Sequence, residues 1–271
     1  FYPVIAVGLL SLGSLPRQET IKKYLKYGMI LLFLALAVFV NGHFVAALSS
    51  LAGLPEGVRV GSLAAALESE ADLVQQHLAR HARPAAGPFC ALNAAFMLDG
   101  AFVLVPEGVD MEEPIQVLFL SSPSREPIVS HPRTLVVVER RARASIVESY
   151  AGMGEGVYWT NAVTEVVVGD GARADCYRVQ RESGTAYHVA TTHTHQGRDS
   201  VVWFHLVALG AALARHDIVS VLDGSGGLCT LNGLYESEPA LYEADGTHSA
   251  FRWIDPDDRD ANVIVYRRIA P

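Results

Sequence analysis

Five histidines and two cysteines fall within residues 176–229: Cys176, His188, His193, His195, His205, His216 and Cys229. Imidazole nitrogens and thiolates are the usual ligands of transition metals. His193 and His195 are two residues apart, which puts both rings on one face if that segment is a strand. Cys229 follows the glycine-rich turn Leu222-Asp-Gly-Ser-Gly-Gly227. Cys229, Cys176, His193 and His195 are therefore the candidate metal ligands. No third ligand stands at a recognisable spacing from the His193/His195 pair, and there is no CxxC or Cys/His zinc pattern. The competing interpretation makes the histidines surface residues on the outer face of a β-coil and the cysteines small apolar core residues.

Other chemistries find less support. Glu148 and Glu165 sit in well-patterned strands with no opposed carboxylate, which suits hydrogen bonding between neighbouring strands better than acid–base work. Gly152-Met-Gly-Glu-Gly156 is glycine-rich but precedes a strand, whereas a dinucleotide site needs glycines leading into a helix. No GxxxxGK[ST] loop occurs, so any ATP binding belongs to a partner. The formal net charge is −8, which argues against a nucleic-acid binder. Three widely spaced cysteines make no disulfide framework and point to a reducing, cytoplasmic compartment.

The elements that must position these residues are mostly short strands. Ala101–Val105, Ile115–Leu120, Leu135–Val138, Val163–Val168 and Val201–Phe204 are β-branched or aromatic runs bounded by Gly, Pro or charged turns. Thr134-Leu-Val-Val-Val-Glu-Arg-Arg-Ala-Arg-Ala144 can be laid on Thr164-Glu-Val-Val-Val-Gly-Asp-Gly-Ala-Arg-Ala174, a shift of 164 − 134 = 30 residues. A strand-turn-strand unit repeating at that interval predicts a β-solenoid, in which stacked coils share one core. A two-sheet sandwich is the alternative. Before this region, Asn41-Gly42 predicts a tight hairpin, and Glu70 to His81 predicts a helix with Ser69 as its N-cap. Arg83-Pro-Ala-Ala-Gly-Pro88 ends the helical part. Residues 1–37 carry Arg17, Lys22, Lys23 and Lys26 between two apolar blocks. The second block, Gly28–Val40, is 13 residues long, short of the roughly 17–20 that a helical membrane span requires.

Several words in the chain resemble the SufB/SufD family of iron–sulfur cluster assembly proteins, and the SufD type in particular. They are Ala91–Phe96, Asp99–Gly108, Glu113–Phe119, Ile146–Gly152, Gly154–Glu165, Val179–Ser183, Leu209–Asp217 and Cys229–Tyr235. The resemblance covers about residues 38–235. It implies a mainly β protein: a right-handed parallel β-helix core preceded by a small helical region. It implies a non-catalytic scaffold subunit with no bound cofactor of its own, the iron–sulfur cluster being handled by the family's complex. The implied partners are a SufB-like homologue and a SufC-like ATPase, with neither nucleic acid nor membrane.

Past Tyr235 this resemblance stops. Glu238–Asp245, Phe251–Asp255 and Asn262–Arg268 instead resemble the start of the C-terminal β-domain of a glycogen branching enzyme, without any of that enzyme's catalytic barrel. The expected organisation is an unplaced apolar/basic segment (1–37), a mixed, mostly helical region (38–88), a β-helix core (89–235) and a foreign-looking β-rich tail (236–271). A chimeric chain with a β-helix truncated at its C-terminal end, and weakened partner binding, follows from that reading. The other functions to weigh are a fragment of a glucan branching enzyme and a membrane-anchored β-solenoid binding protein.

Overall fold

The computed structural model describes residues 35–122, 126–154 and 156–236, together with the backbone of two further strands at Phe251–Ile254 and Val263–Val265. The chain opens with β1 (Ala35–Val40), β2 (His43–Phe44) and β3 (Arg59–Ser62). The helices α1 (Leu63–Ser69), α2 (Ala71–His77) and α3 (Pro88–Phe96) follow. Strands β4 (Ala101–Val105), β5 (Ile115–Ser121), β6 (Ile128–Ser130), β7 (Arg133–Val138), β8 (Arg143–Gly152) and β9 (Tyr158–Val168) come next. They continue as β10 (Arg173–Glu182), β11 (Tyr187–Gln196), β12 (Val201–Gly210), β13 (Leu213–Leu222), β14 (Leu228–Glu236), β15 (Phe251–Ile254) and β16 (Val263–Val265).

From β7 onward successive strands alternate between two sheets. One sheet runs β16-β14-β12-β10-β8-β5-β1-β2 and the other β15-β13-β11-β9-β7-β4-β3, with β6 also on β9. Every strand pair from β5 onward is parallel. A sandwich built of hairpins would be antiparallel, so the architecture is a parallel β-solenoid, with about four turns over residues 115–234. The 30-residue self-match is the stacking register itself. Thr134 lies beside Thr164, Leu135 beside Glu165 and Arg143 beside Arg173.

Stacking in register builds columns of like side chains between the sheets. Ile115, Ile146, Cys176, Phe204 and Leu231 form one such column in successive coils. All five belong to a continuous apolar core shared with Val136, Val166, Ala190 and Ile218 of the opposite sheet. No coil buries these residues alone, which is why the repeat is needed for stability.

The first described strand is drawn into this stack. β1 pairs in parallel with β5, and Ala35 to Phe39 are buried. The C-terminal part of the apolar run Gly28–Val40 is thus a sheet strand. Asn41 (φ 52°) and Gly42 (φ 83°) take the two left-handed positions of a tight turn into β2, as the Asn-Gly pair predicts. Residues 1–34, and with them most of the segment considered as a membrane span, lie outside the described residues. Among the described residues no helix is long and apolar enough to cross a membrane. Glu238–Asp245 also lies outside them, whereas β15 and β16 pair in parallel with β13 and β14.

Helices α1 and α2 cover the outer face of β4 and β7, where Leu63, Ala66 and Val74 pack on Phe102, Leu104, Leu135 and Val137. The helix expected over Glu70–His81 is shorter, α2 (Ala71–His77), and it follows directly on α1 (Leu63–Ser69). Ser62, whose hydroxyl accepts from Ala65 N, caps α1. Ser69 ends that helix, its hydroxyl turned back to donate to Ala65 O, so it caps nothing. The second helix stops at His77 because the Glu165 carboxylate captures the N–H groups of Ala79, His81 and Ala82.

Gly100 precedes β4 directly under Arg133, and a Cβ there would overlap the Arg133 carbonyl. Both partners are backbone, so no rotamer change relieves the overlap. Gly100→Ala is expected to destabilise the protein by about 3 kcal/mol, read as a lowered urea midpoint with an unchanged denaturation slope.

Candidate functional site

Sheet parity divides the candidate ligands. Cys176 and Cys229 point between the sheets, into the core. Burial pushes both thiols up from their ordinary value, and Ser220 Oγ donates to Cys229 Sγ at 3.2 Å. His193 and His195 take the opposite parity from Thr192 and Thr194, so they face out from the second sheet. The wall of β11 therefore stands between the two thiols and the two imidazoles. Among the described residues no three His, Cys, Asp or Glu side chains form a group able to hold a metal ion.

The histidines divide between the two sides of the sheets: His193, His195 and His205 lie on outer faces, as the competing interpretation expects, though none is fully exposed. His188 is fully buried between the sheets, and His193 is 8% exposed beneath the segment that follows α2. His205 sits on the outer face of the first sheet, stacked on Tyr177 with centroids 4.9 Å apart, and its Nδ1 lies 3.1 Å from Asn232 Nδ2. The ring of His216 lies 5.0 Å from that of His188. Burial lowers the His216 pKa well below the ordinary value, so this ring is neutral at physiological pH.

What the fold gathers instead is a polar seam inside the solenoid. Strand β10 contributes Cys176, Arg178, Gln180 and Glu182 to the same inward face. Arg178 donates to Glu148 Oε2 at 2.6 Å, to Thr164 Oγ1 at 2.8 Å and to Thr192 Oγ1 at 2.8 Å. Thr164 in turn donates to Glu148 Oε1 at 3.0 Å. Burial alone would lower the Arg178 pKa, but Glu148 beside it more than offsets that and holds the guanidinium charged. Further along, Glu182 accepts from Thr160 Oγ1 and Gln180 Nε2, and its Oε2 lies 2.8 Å from His188 Nδ1, close but not aligned as a hydrogen bond. The Tyr150 ring meets His188 edge-on at 4.9 Å and connects the two groups. Desolvation raises the Tyr150 pKa well above its ordinary value, so it remains a neutral donor.

A second buried pair lies outside the same wall. Arg133 and Glu165 are both fully buried, 2.7 Å apart. Arg133 also donates to Asn93 Oδ1 of α3 and to the Ala82 carbonyl. Desolvation pushes the Glu165 carboxyl up, but Arg133 and the N–H groups of Ala79 and Ala82 outweigh it and leave the pKa below the ordinary value. Glu148 and Glu165 thus both act as hydrogen-bond acceptors between coils. Their arginine partners, and the inward run from Arg178 to Glu182, escaped the spacing argument. The available signal was parity: Arg178 shares the side of its strand with Ala174 and Cys176.

Comparison with known proteins agrees with this architecture. The model of the SufBD protein N-terminal region matches residues 20–117, and the model of the SUF system FeS cluster assembly SufBD core domain matches residues 119–240. The chain belongs to the SufBD family. Its matched span is wider at both ends than the 38–235 carried by the sequence words. The junction between the two matched regions falls inside β5, so the N-terminal region and the core share one continuous sheet.

An iron–sulfur cluster assembly SufBD family protein of Synechocystis sp. is 34% identical over 189 residues, 67% of this chain and 42% of that protein. Iron–sulfur cluster assembly protein SufB of Bacillus subtilis is 28% identical over 175 residues, 63% of this chain and 37% of that protein. SufD of the same organism is 27% identical over 152 residues, 54% of this chain and 34% of that protein. The chain therefore spans about two-fifths of the length of the curated relatives it matches. Within the SufBD core, the polar seam runs across β8 to β13, while the Arg133–Glu165 pair joins that core to the N-terminal region.

Two outcomes follow from this site. Arg178→Met leaves Glu148 buried without its cation and is expected to cost about 3–5 kcal/mol, whereas Glu148→Leu combined with Arg178→Met costs less than the single change. Urea titration of the three proteins measures this. Cys90, Cys176 and Cys229 are all buried thiols. A thiol reagent that absorbs on reaction should leave all three unmodified in the native protein and label them on denaturation.

Proposed function

We propose that this SufBD-family chain serves as a non-catalytic scaffold in SUF iron–sulfur cluster assembly, with the cluster as cargo and a SufB-like homologue and a SufC-like ATPase as partners. The observation that carries this reading is the consecutive match of the SufBD N-terminal region and core over residues 20–240, laid on a parallel β-solenoid. A solenoid wall offers a rigid, extended surface on which partners dock, and the buried polar groups described above are held by one another. The thiols are raised by burial, which makes them poor nucleophiles as they stand. A scaffold needs none.

The SufD-type assignment rests on the words Ile146–Gly152, Gly154–Glu165, Val179–Ser183, Leu209–Asp217 and Cys229–Tyr235. Relatives of both the SufB and the SufD type match at nearly equal identity, so the partner decides the type. The full chain, tagged and co-expressed with a SufB-like protein and a SufC-like ATPase, is expected to retain the SufB-like protein through purification. Retention of neither partner, by a chain whose far-ultraviolet circular dichroism is that of a folded β protein, would overturn the proposal.

A further inference from the structure

The segment after α2, residues 78–82, crosses the outer face of the second sheet at a place where histidines from two elements meet. His77 and His81 come from the helical side, and His193 and His195 from β11. The rings of His81 and His195 lie 4.4 Å apart and 32° from parallel. The Glu165 carboxylate on β9 holds the backbone of this strap, accepting from Ala79 N, His81 N and Ala82 N at 2.8–3.0 Å. That carboxylate is already matched by Arg133 of β7. Arg80 on the strap donates to the Gln75 carbonyl of α2, and Arg83 just beyond it donates to the Arg80 carbonyl. Two further carboxylates approach from the rim. Asp223 Oδ2 is 3.3 Å from His195 Nε2 and is itself largely exposed, and Glu139 acts on His77 through space.

We propose that the imidazoles of His77, His81 and His193 make the strap a proton-operated latch, docked on the solenoid while they are neutral and released as they gain charge. The local balance carries the inference. Glu165 is already paired with Arg133 and Asp223 stands on His195, so an imidazolium formed at His81 or His193 gains little from either carboxylate. No three ligand groups converge here among the described residues, so the proton is the ligand the cluster takes. This concerns the joint between the helical region and the solenoid and holds whether or not the scaffold role does.

The direction of the pH dependence is set by burial. Desolvation lowers the pKa of His77 and of His193, and lowers that of His81 from 6.5 to about 4. The docked state therefore binds fewer protons than the released state between those values. Its stabilisation is complete above about pH 6.5 and is lost as the pH falls towards 4. His81 is only partly buried, and the effect is discounted accordingly for solvent screening.

Hydrogen–deuterium exchange of the full chain tests the latch, with each pH corrected for the chemical exchange rate. Between pH 7.5 and 5, exchange at residues 78–82 should rise about tenfold relative to residues 174–180 and 202–208 of the solenoid. In a His81→Asn, His193→Asn double variant the rise should fall below about threefold. A flat ratio in the natural protein, or an undiminished rise in a folded double variant, overturns the proposal. If the double variant fails to fold, nuclear magnetic resonance titration of the natural protein decides: a His81 midpoint well below 6 supports the latch, and one at 6.5 or above overturns it.

Discussion

The structure depends on the pairing of charges that the solenoid removes from water. Glu165 and Arg133 are fully buried on the outer face of the second sheet. Neither tolerates the loss of the other, because an isolated buried charge costs several kcal/mol. This pair is more than an ion bridge. Arg133 reaches α3 through Asn93, and Glu165 ties down residues 79–82. The orientation of the helical region on the β-wall is set by two side chains whose geometry leaves little freedom.

Inside the wall the same constraint acts through Glu148 and Arg178. Their strands are neighbours in the first sheet, and their hydroxyl partners Thr164 and Thr192 lie across the core in the second. Apolar columns would stack nearly as well in several registers, since one β-branched residue resembles another. A buried guanidinium with three named acceptors fits only one. The polar seam thus adds specificity to a core whose bulk stabilisation comes from residues such as Ile146, Phe204 and Leu231.

The helical region and the solenoid meet at a surface that is both apolar and titratable. Leu63, Ala66 and Val74 cover β4 and β7, whereas the segment beyond α2 rests on histidines of β11. A joint of this kind is stable when its imidazoles are neutral. It also accounts for burial of His193, a residue whose position on a strand with alternating polar side chains suggests exposure.

Much of the fold was legible in the chain itself. The match of 134–144 onto 164–174 is a covalent record of the stacking register, because a residue that fills a core column in one coil must be repeated in the next. Asn41-Gly42 and the β-branched runs announced their turn and strands through local sterics alone. The family words pointed to the SufBD family that the wider comparison supports, though it supports neither the SufD type nor the branching-enzyme likeness of the tail. Only the tertiary structure decided the rest. The second helix ended at His77, short of the expected His81, because the carboxylate of Glu165, distant in sequence, captures the N–H groups just beyond it. Cys176 and Cys229 were separated from His193 and His195 because alternation along a strand assigns faces, and only strand pairing says which face is covered. The seven His and Cys residues that first suggested a metal site are spread over the core and two outer faces. Their proximity in sequence carried no information about distance, since adjacent positions on a strand point to opposite sides of the wall.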